Sequence, residues 1–403
     1  MHAEPENRAP SGAGVPALAA AELLCGEALV IDLRSPSEFE EDHVPGAHNV
    51  PLFDDAQRGL VGTLYRRESP DAAFCEGREI VAARIQDLCT RIAELSGDEL
   101  PAADLARRVR EATERGIGAL ERAVAAVPVR VRPERPVVLH CWRGGLRSRS
   151  VVWLLRSIGL ERVHVLQGGY RAWRAEILRV LDSARFPPAF VLRGLTGVGK
   201  TLVLRELERL RPGWTIDLEA LAGHRSSLLG MVGLEPVSQK RFESRLCTRL
   251  AQGLGRQVVF EGESRKVGDV ILPRGLWRAL SGGDSIELVT GVERRIEVLE
   301  REYLGAPGGA TGLLRQLPLL EARLKRAPGE PALCELLCAG RTSELVRLLL
   351  ERHYDPLYRH SEQGRVSATR IDSTQPERAA REIASWIEQR EASRARGTAD
   401  GMG

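Results

Sequence analysis

The chain has 403 residues, which is too long for one ordinary hydrophobic core, so we expect two domains. Apolar residues make up 43% and charged residues 28%, as in globular proteins, and the net charge of +3 is too small to indicate nucleic-acid binding by itself. The sequence has no apolar stretch of membrane-spanning length and no signal peptide, so we expect a cytoplasmic protein without membrane contact.

Strands and helices alternate in the first half of the chain, which predicts a parallel sheet covered by helices. We expect a disordered N-terminus over residues 1–14, followed by a domain over residues 15–180. Short apolar runs predict its strands at residues 28–34, just before Pro51, at 137–140 and at 163–166. A stretch rich in Arg, Glu and Ala, from about residue 88 to 135, is predicted to be a helical insertion.

The alternation restarts after residues 181–188, which we predict to be a linker. A strand at 189–192 leads through a glycine-rich loop into a helix, and later apolar runs predict strands at 214–217, 257–261 and 285–289. We therefore expect a second α/β domain over residues 189–388 with a helical C-terminal part, and a disordered tail over residues 389–403.

Cys141 ends an apolar, β-branched strand and opens a loop that precedes a helix. The loop residues are Trp142, Arg143, Gly144, Gly145, Leu146 and Arg147. Converging N–H groups and the positive end of the helix favour the thiolate, and the glycines permit the convergence. The seven cysteines are scattered, which fits a reducing compartment that keeps Cys141 free. We predict a nucleophile in an anion-binding loop rather than a structural cysteine.

Two classes of enzyme use a thiolate in such a loop. Sulfurtransferases form a persulfide on the cysteine, and phosphatases form a phosphocysteine. Five residues separate Cys141 from Arg147, and with His140 in front this is the H-C-x5-R formula of the cysteine phosphatases, whereas common rhodanese loops have four. The longer loop makes a wider cradle, sized for a phosphate-like group. The loop alone therefore leaves both classes open.

A second anion site is predicted at the start of the second domain. The segment from Gly194 to Thr201 fits the P-loop pattern G-x-x-x-x-G-K-[ST] between a predicted strand and a predicted helix. The predicted phosphate-binding residues are Gly194, Gly197, Gly199, Lys200 and Thr201, and Thr201 could also hold Mg²⁺.

Polar side chains at strand ends and in loops are candidate substrate contacts. They are Asp217, Arg225, Glu261, Glu263 and Arg265. Glu261 stands where an Asp is usual in P-loop proteins, which argues against ordinary ATP–Mg²⁺ hydrolysis. Strand-end salt bridges are the alternative role for Glu261 and Glu263, and no metal ligand set is predicted beyond Thr201.

The first domain resembles the rhodanese family. The matching stretches are residues 31–39, residues 43–47, the Cys141 loop and residues 166–173. A rhodanese-like domain followed by a P-loop domain resembles the tRNA 2-selenouridine synthases, from about residue 25 to about residue 365. Further blocks similar to that family are residues 61–66, 217–225, 261–268 and 354–358. The last three are not generic to P-loop proteins. The resemblance implies a rhodanese-like parallel-sheet domain joined to a P-loop NTPase-like α/β domain.

The resemblance also implies a reaction: selenium from selenophosphate replaces the sulfur of wobble 2-thiouridine in tRNA after geranyl diphosphate has alkylated that sulfur. Cys141 would handle the selenium, its loop would hold the phosphate of selenophosphate, and the P-loop would hold the pyrophosphate of geranyl diphosphate. The implied partners are the anticodon region of tRNA and a selenophosphate-producing enzyme, with no tightly bound cofactor.

Two other interpretations remain at this stage. The first is a sulfurtransferase or cysteine phosphatase fused to a kinase-like P-loop domain, without an RNA substrate. The second is a P-loop binding protein whose rhodanese domain only senses anions. The P-loop cannot separate them, whereas the blocks at residues 217–225 and 261–268 favour the tRNA enzyme.

Overall fold

The structure is a computed structural model and describes residues 15–24, 26–100, 102–113, 117–128, 134–324, 330–361 and 366–400. The chain divides into two compact units, Met1–Val180 with Glu243–Ala251, and Leu181–Phe242 with Gln252–Gly403. Each unit contains a parallel sheet with helices, which confirms the predicted α/β class. The predicted disordered N-terminus lies outside the described residues.

A six-stranded sheet forms the centre of the first unit, and all its strand pairs are parallel. The strands are β1 (Val15–Leu18), β2 (Leu29–Asp32), β3 (His48–Asn49), β4 (Ala126–Pro128), β5 (Val137–His140) and β6 (Val163–Leu166). Their order is β3-β2-β5-β6-β1-β4. Every residue of β5 and β6 is buried, as expected of central strands covered on both faces. Strand β5, which ends just before Cys141, is therefore held between two neighbours.

Nine helices accompany this sheet in the described part of the first 183 residues. They are α1 (Ala20–Leu24), α2 (Pro36–Glu41), α3 (Asp55–Arg67), α4 (Pro70–Ala82), α5 (Ile85–Ser96), α6 (Ala102–Thr113), α7 (Ile117–Ala123), α8 (Leu146–Ser157) and α9 (Gly169–Ser183). Apolar residues from α5, β5 and α8 share one buried cluster that includes Ile92, Leu139 and Leu155. Burial of this cluster fixes α8, the helix that follows the Cys141 loop.

Two predictions for this unit need correction. The stretch from about residue 88 to 135 is not wholly helical, because β4 pairs in parallel with β1 at the sheet edge. Pro128 ends this strand, and proline is tolerated at a sheet edge but destabilises a helix interior. The predicted linker at residues 181–188 is also too long, since α9 continues to Ser183 and β7 begins at Ala189.

The second unit is built on a five-stranded parallel sheet. Its strands are β7 (Ala189–Arg193), β8 (Thr215–Ile216), β9 (Val258–Glu261), β12 (Asp284–Val289) and β13 (Thr369–Asp372), and a separate antiparallel hairpin comprises β10 (Lys266–Val267) and β11 (Val270–Ile271). The sheet order is β13-β12-β7-β9-β8. Strand β7, which leads into the P-loop, is thus the central strand.

The remaining helices belong to this unit, except that the segment Glu243–Ala251 belongs to the first unit, and they include the predicted helical C-terminal part. They are α10 (Lys200–Leu210), α11 (Leu218–Ala222), α12 (Gln239–Ala251), α13 (Arg274–Gly282), α14 (Val292–Leu304), α15 (Gly309–Glu321), α16 (Leu333–Cys338), α17 (Thr342–Leu349), a π-helical turn (Leu350–Tyr354), α18 (Asp355–Ser361) and α19 (Pro376–Asp400). Helices α14 to α17 and the π-helical turn share an apolar cluster of their own. Among the described residues, none of the helices is both long and apolar enough to cross a membrane.

The predicted disordered tail over residues 389–403 is wrong for residues 389–400, because α19 continues to Asp400. Ile387 anchors the helix in the core, and Arg390 and Arg394 both pair with Asp284 of β12. These contacts hold a segment whose polar composition alone indicated disorder. Residues 401–403 lie outside the described residues.

We expect Ile387→Ala to destabilise the protein by about 2–5 kcal/mol, because it empties a fully buried site in the core. Ile271→Ala is the matched control, since that isoleucine is exposed, and it should cost about 0.5 kcal/mol or less. Urea-induced unfolding of both variants beside the unchanged protein measures the difference. Equal destabilisation by the two substitutions would contradict this account of α19.

Candidate functional site

Cys141 directly follows β5, at the carboxyl end of the first sheet, where ligands of parallel α/β sheets bind. The residue is 2% exposed, and its Sγ lies 3.3 Å from Oγ of Ser148. Helix α8 begins at Leu146, so the N–H groups of its first turn have no acceptor within the helix. The thiol therefore lies beside a helix N-terminus suited to an anion.

Only one of the two loop glycines is a steric requirement. Gly144 has φ +62°, and a Cβ there would lie 2.6 Å from the Leu166 carbonyl oxygen and 2.7 Å from the Gly169 nitrogen. Gly145 has φ −91°, and a Cβ there would meet nothing within 4 Å. The close approach of the loop to the start of α9 therefore depends on Gly144.

The start of α9 holds the loop from the other side. The Tyr170 N–H donates to the Cys141 carbonyl oxygen at 2.9 Å, and the Arg171 N–H donates to that of Trp142 at 3.0 Å. The half-buried Trp142 ring tilts against Tyr170 with 5.3 Å between the ring centroids. Trp142 is thus partly accessible beside the thiol and is not a core residue.

A buried charged network fixes Tyr170 in turn. The Arg34 guanidinium lies 3.7 Å from the Tyr170 ring centroid and donates to both oxygens of Asp32. The Tyr170 hydroxyl donates to Asp42 Oδ2 at 2.6 Å. Burial would raise the pKa of Asp32, but the neighbouring His140 imidazole and the hydrogen bonds and charge of the Arg34 guanidinium lower it overall. The carboxylate therefore stays ionised and keeps Arg34 in place against the ring.

His140 is wholly buried, with Nε2 3.7 Å from Asp32 Oδ2. Burial lowers the pKa of His140 more strongly than the nearby Asp32 raises it, so the imidazole is neutral around pH 7. Its place beneath the loop excludes a role as a surface proton acceptor. His140 therefore belongs to the support of Cys141.

Positive charge around the Cys141 loop is not neutralised by acidic side chains. Within the described part of the chain, no ion pair is formed by Arg143, Arg147, Arg149 or Arg171. Arg143 and Arg171 are exposed, and Arg147 is half-buried in the first turn of α8. These arginines remain available to bind anions.

The P-loop between β7 and α10 is held by residues from distant parts of the second unit. The Gly194 N–H donates to the Tyr358 hydroxyl at 2.6 Å, and Arg295 Nε donates to the Thr196 carbonyl oxygen at 2.8 Å. Lys200 Nζ donates to the Gly194 carbonyl oxygen at 3.2 Å, so the ammonium group folds over the loop. The loop is therefore preformed around the lysine.

An acidic cluster lies beside the P-loop. Glu219 Oε2 is 3.4 Å from Thr201 Oγ1, and burial together with the charge of Glu263 raises the pKa of Glu219 to about 8. Burial also raises the pKa values of Glu263 and Glu302 despite the lowering effect of Lys200. Protonation therefore leaves the cluster with fewer negative charges at pH 7 than it has carboxyl groups.

Glu261 completes this cluster from the end of β9. It is wholly buried, and its Oε2 accepts a hydrogen bond from the Leu218 N–H at 3.1 Å. Burial and the charges of Asp217 and Glu219 raise its pKa well above the usual value. Across the described residues, no group of three or more His, Cys, Asp or Glu side chains is arranged to hold a metal ion.

Comparisons with known proteins match both halves of the chain. The family model described as "tRNA 2-selenouridine synthase AAA domain" matches residues 187–309, and the rhodanese-like domain model matches residues 16–85 and 98–176. A tRNA 2-selenouridine synthase of Bordetella petrii is 31% identical over 85% of this chain and 89% of its own length. One of Cupriavidus pinatubonensis is 30% identical over 90% of this chain and 95% of its own length.

The chain belongs to the tRNA 2-selenouridine synthase family. This confirms the resemblance drawn from the sequence blocks. The rhodanese match omits residues 86–97, a segment that includes most of α5, and resumes before α6.

The structure brings some of the predicted contacts together and gives others a structural role. Glu261 and Glu263 join the cluster near Lys200, whereas Asp217 caps α11 by accepting from the Ala220 N–H at 2.7 Å.

The two predicted arginine contacts differ in their relation to this cluster. Arg225 donates to the Val232 carbonyl oxygen at 2.8 Å and so stabilises its own loop, and its Nε lies 4.0 Å from Oε2 of Glu302 in the cluster. Arg265 is exposed, and its side chain has no hydrogen bond or ion pair with any described residue.

Several residues of the two sites were not singled out from the sequence. They are Ser148, Tyr170, Arg34, Glu219, Arg295 and Tyr358. Arg34, Tyr170, Glu219 and Tyr358 lie inside blocks that resembled known families, so those blocks carried the signal. Arg295 lies in an ordinary amphipathic helix, where no local pattern distinguishes it.

We expect Gly144→Ala to abolish most reactivity of Cys141, because the new Cβ would collide with backbone atoms at a positive φ. Gly145→Ala is the matched control and should retain the reactivity, since its Cβ would occupy open space. The alkylation rate of Cys141 by iodoacetamide, resolved by peptide mass spectrometry, measures both. Unchanged alkylation in the Gly144→Ala variant would refute the steric argument.

Proposed function

We propose that this protein replaces the sulfur of wobble 2-thiouridine in tRNA by selenium from selenophosphate, through a geranylated intermediate made with geranyl diphosphate, in the cytoplasm. The relatives named as tRNA 2-selenouridine synthases support the tRNA-modifying selenium transfer. The observation that carries the proposal is the presence of two anion loops, one built around a thiol and one around a lysine.

The P-loop suits the pyrophosphate of geranyl diphosphate. In the alkylation, the thiouridine sulfur forms a bond to C1 of the geranyl group, the C1–O bond breaks, and diphosphate leaves with the electron pair. The base loses its N3 proton to solvent. Lys200 and the loop N–H groups would stabilise the charge that develops on diphosphate. The raised pKa values of Glu219 and Glu261 keep the surroundings of the lysine from becoming strongly negative.

The described residues offer few ligands for Mg²⁺. The described residues offer no cluster of three acidic or imidazole ligands, so Thr201 would be the main protein ligand and the diphosphate would supply other oxygens. When bound, the ion would neutralise charge on the diphosphate. We expect no tightly bound cofactor.

The Cys141 loop suits the selenium-transfer step. Its unneutralised arginines and the N-terminus of α8 would hold the phosphate of selenophosphate beside the thiol, which acts as the nucleophile. Exposed Arg143 and Arg171 would contact tRNA phosphates, and the half-buried Trp142 ring would stack on an unpaired anticodon base. A selenophosphate-producing enzyme would supply the donor.

Nucleoside mass spectrometry of tRNA from cells with and without this protein tests the proposed function. We expect 2-selenouridine and geranylated 2-thiouridine only where the protein is present, because the two loops supply both steps. Identical levels of both nucleosides in the two cell lines would exclude the function and favour a sulfurtransferase or phosphatase without an RNA substrate.

We expect Cys141→Ser to stop selenium incorporation but to allow geranylation, because the alkylation uses the P-loop rather than the thiol. Cys75→Ser is the matched control, since Cys75 is a free, exposed cysteine in the same unit, and it should leave both reactions unchanged. The two modified nucleosides are quantified after reaction of each variant with tRNA. Full selenation by Cys141→Ser would show that another group is the nucleophile.

We expect Lys200→Ala to weaken geranyl diphosphate binding by at least tenfold, because one charged hydrogen-bond donor to the diphosphate is lost. Lys266→Ala is the control, since this lysine is exposed in β10 of the same unit. Isothermal titration calorimetry measures both affinities. An unaltered affinity in Lys200→Ala would count against pyrophosphate binding at the P-loop.

A further inference from the structure

Ser148 is a functional-site residue to which the proposed function gives no role. It directly follows Arg147, and the stretch from His140 reads H-C-x5-R-S. Its hydroxyl is fully buried, lies 3.3 Å from Cys141 Sγ and donates more weakly to the Gly145 carbonyl oxygen at 3.4 Å. Of all the described side chains, this hydroxyl is the hydrogen-bonding partner that the structure places on the sulfur.

Selenophosphate offers a thiolate two atoms to attack. Attack on selenium would leave a perselenide on the cysteine and reduce the phosphorus, and a reductant would then be needed to release selenide. Attack on phosphorus breaks the P–Se bond without any change of oxidation state and releases selenide directly. The partner that the structure places nearest to Cys141 Sγ is a hydroxyl rather than a second thiol, so no described side chain is placed to reduce a perselenide there.

The loop also has the features that bind a phosphoryl group. Five residues separate Cys141 from Arg147, and the free N–H groups at the start of α8 are suited to non-bridging phosphoryl oxygens. Arg147 has no acidic partner among the described residues, so its guanidinium is available for the same oxygens. Both features would stabilise the negative charge of a phosphoryl group that is transferred to the sulfur.

We propose that Cys141 attacks the phosphorus of selenophosphate and forms a phosphocysteine, and that Ser148 is a catalytic residue that hydrogen-bonds the sulfur. This inference rests on the proposed function. The S–P bond forms as the P–Se bond breaks, and selenium leaves with the electron pair as the hydroselenide ion, HSe⁻. This ion then adds to C2 of the geranylated base, its proton passes to N3, and geranylthiolate leaves.

The second half of the cycle restores the thiolate. A water oxygen attacks the phosphorus, the S–P bond breaks, and one water proton passes to the departing phosphate or to solvent. The sulfur leaves as a thiolate, and the Ser148 hydroxyl donates a hydrogen bond to it. A hydrogen bond to a charged thiolate is stronger than one to the neutral, thioester-like sulfur of the phosphocysteine. Ser148 therefore assists the hydrolysis of the phosphocysteine more than its formation.

Phosphorus-labelled selenophosphate tests the position of attack. The full-length protein is mixed with the labelled donor and quenched, and the peptide that carries Cys141 is analysed for phosphorus and for selenium. We expect phosphorus on Cys141 and free selenide in solution. Selenium without phosphorus on Cys141 would overturn the inference and leave the proposed function intact, whereas absence of selenouridine in tRNA treated with the unchanged protein would overturn the proposed function itself.

Ser148→Ala tests the role of the hydroxyl. We expect phosphocysteine to form but to decay about ten- to a hundredfold more slowly, so that it accumulates. Ser148→Thr should restore the decay, and Ser150→Ala should not change it, because the Ser150 hydroxyl bonds only its own helix at Leu146. Decay of the labelled adduct at the unchanged rate in Ser148→Ala would show that the hydroxyl has no catalytic role.

Discussion

The hydrogen bond from the Tyr170 N–H to the Cys141 carbonyl oxygen is the interaction on which the first site depends. It joins the end of β5 to the start of α9, and it sets the position of the thiol without using the loop's own N–H groups. Tyr170 can serve as a fixed point because Arg34 covers its ring and Asp42 holds its hydroxyl. The contacts with α9 therefore fix the position of the loop, and the N–H groups of the loop remain available to bind an anion.

A gain in folding stability does not explain why the charged side chains that support Tyr170 are buried. Asp32 and Arg34 are 0% and 1% exposed, and a buried ion pair typically gains little over an apolar pair of similar volume. Removing one partner, however, would leave an uncompensated charge directly beneath the loop. The network thus enforces a single arrangement of Tyr170. In-line attack by a thiolate on a bound phosphoryl group depends on such accurate positioning of the sulfur, and additional stability would not supply it.

Local patterns predicted much of the fold and the centre of each site. Strands β5 and β7 are short apolar runs, and the loops after them follow motif spacing, so both could be found from neighbouring residues. The supporting contacts join residues far apart in sequence: Tyr170 and Asp42 are 128 positions apart, and Arg295 and Thr196 are 99 apart. Such pairs depend on strand order and helix packing, which hydrophobic periodicity leaves open. The same holds for edge strand β4, whose register with β1 is set by tertiary pairing.

The two sites apply the same backbone physics to different chemistry. Each follows an inner parallel strand and leads into a helix whose first N–H groups are free, so each attracts an anion. The first places a thiol there and surrounds it with unpaired arginines, which favours attack on a bound group. The second places Lys200 there, among carboxyl groups with raised pKa values. Because protons retained by those groups limit repulsion, the lysine can hold a diphosphate leaving group, and a thiol would add nothing to that task.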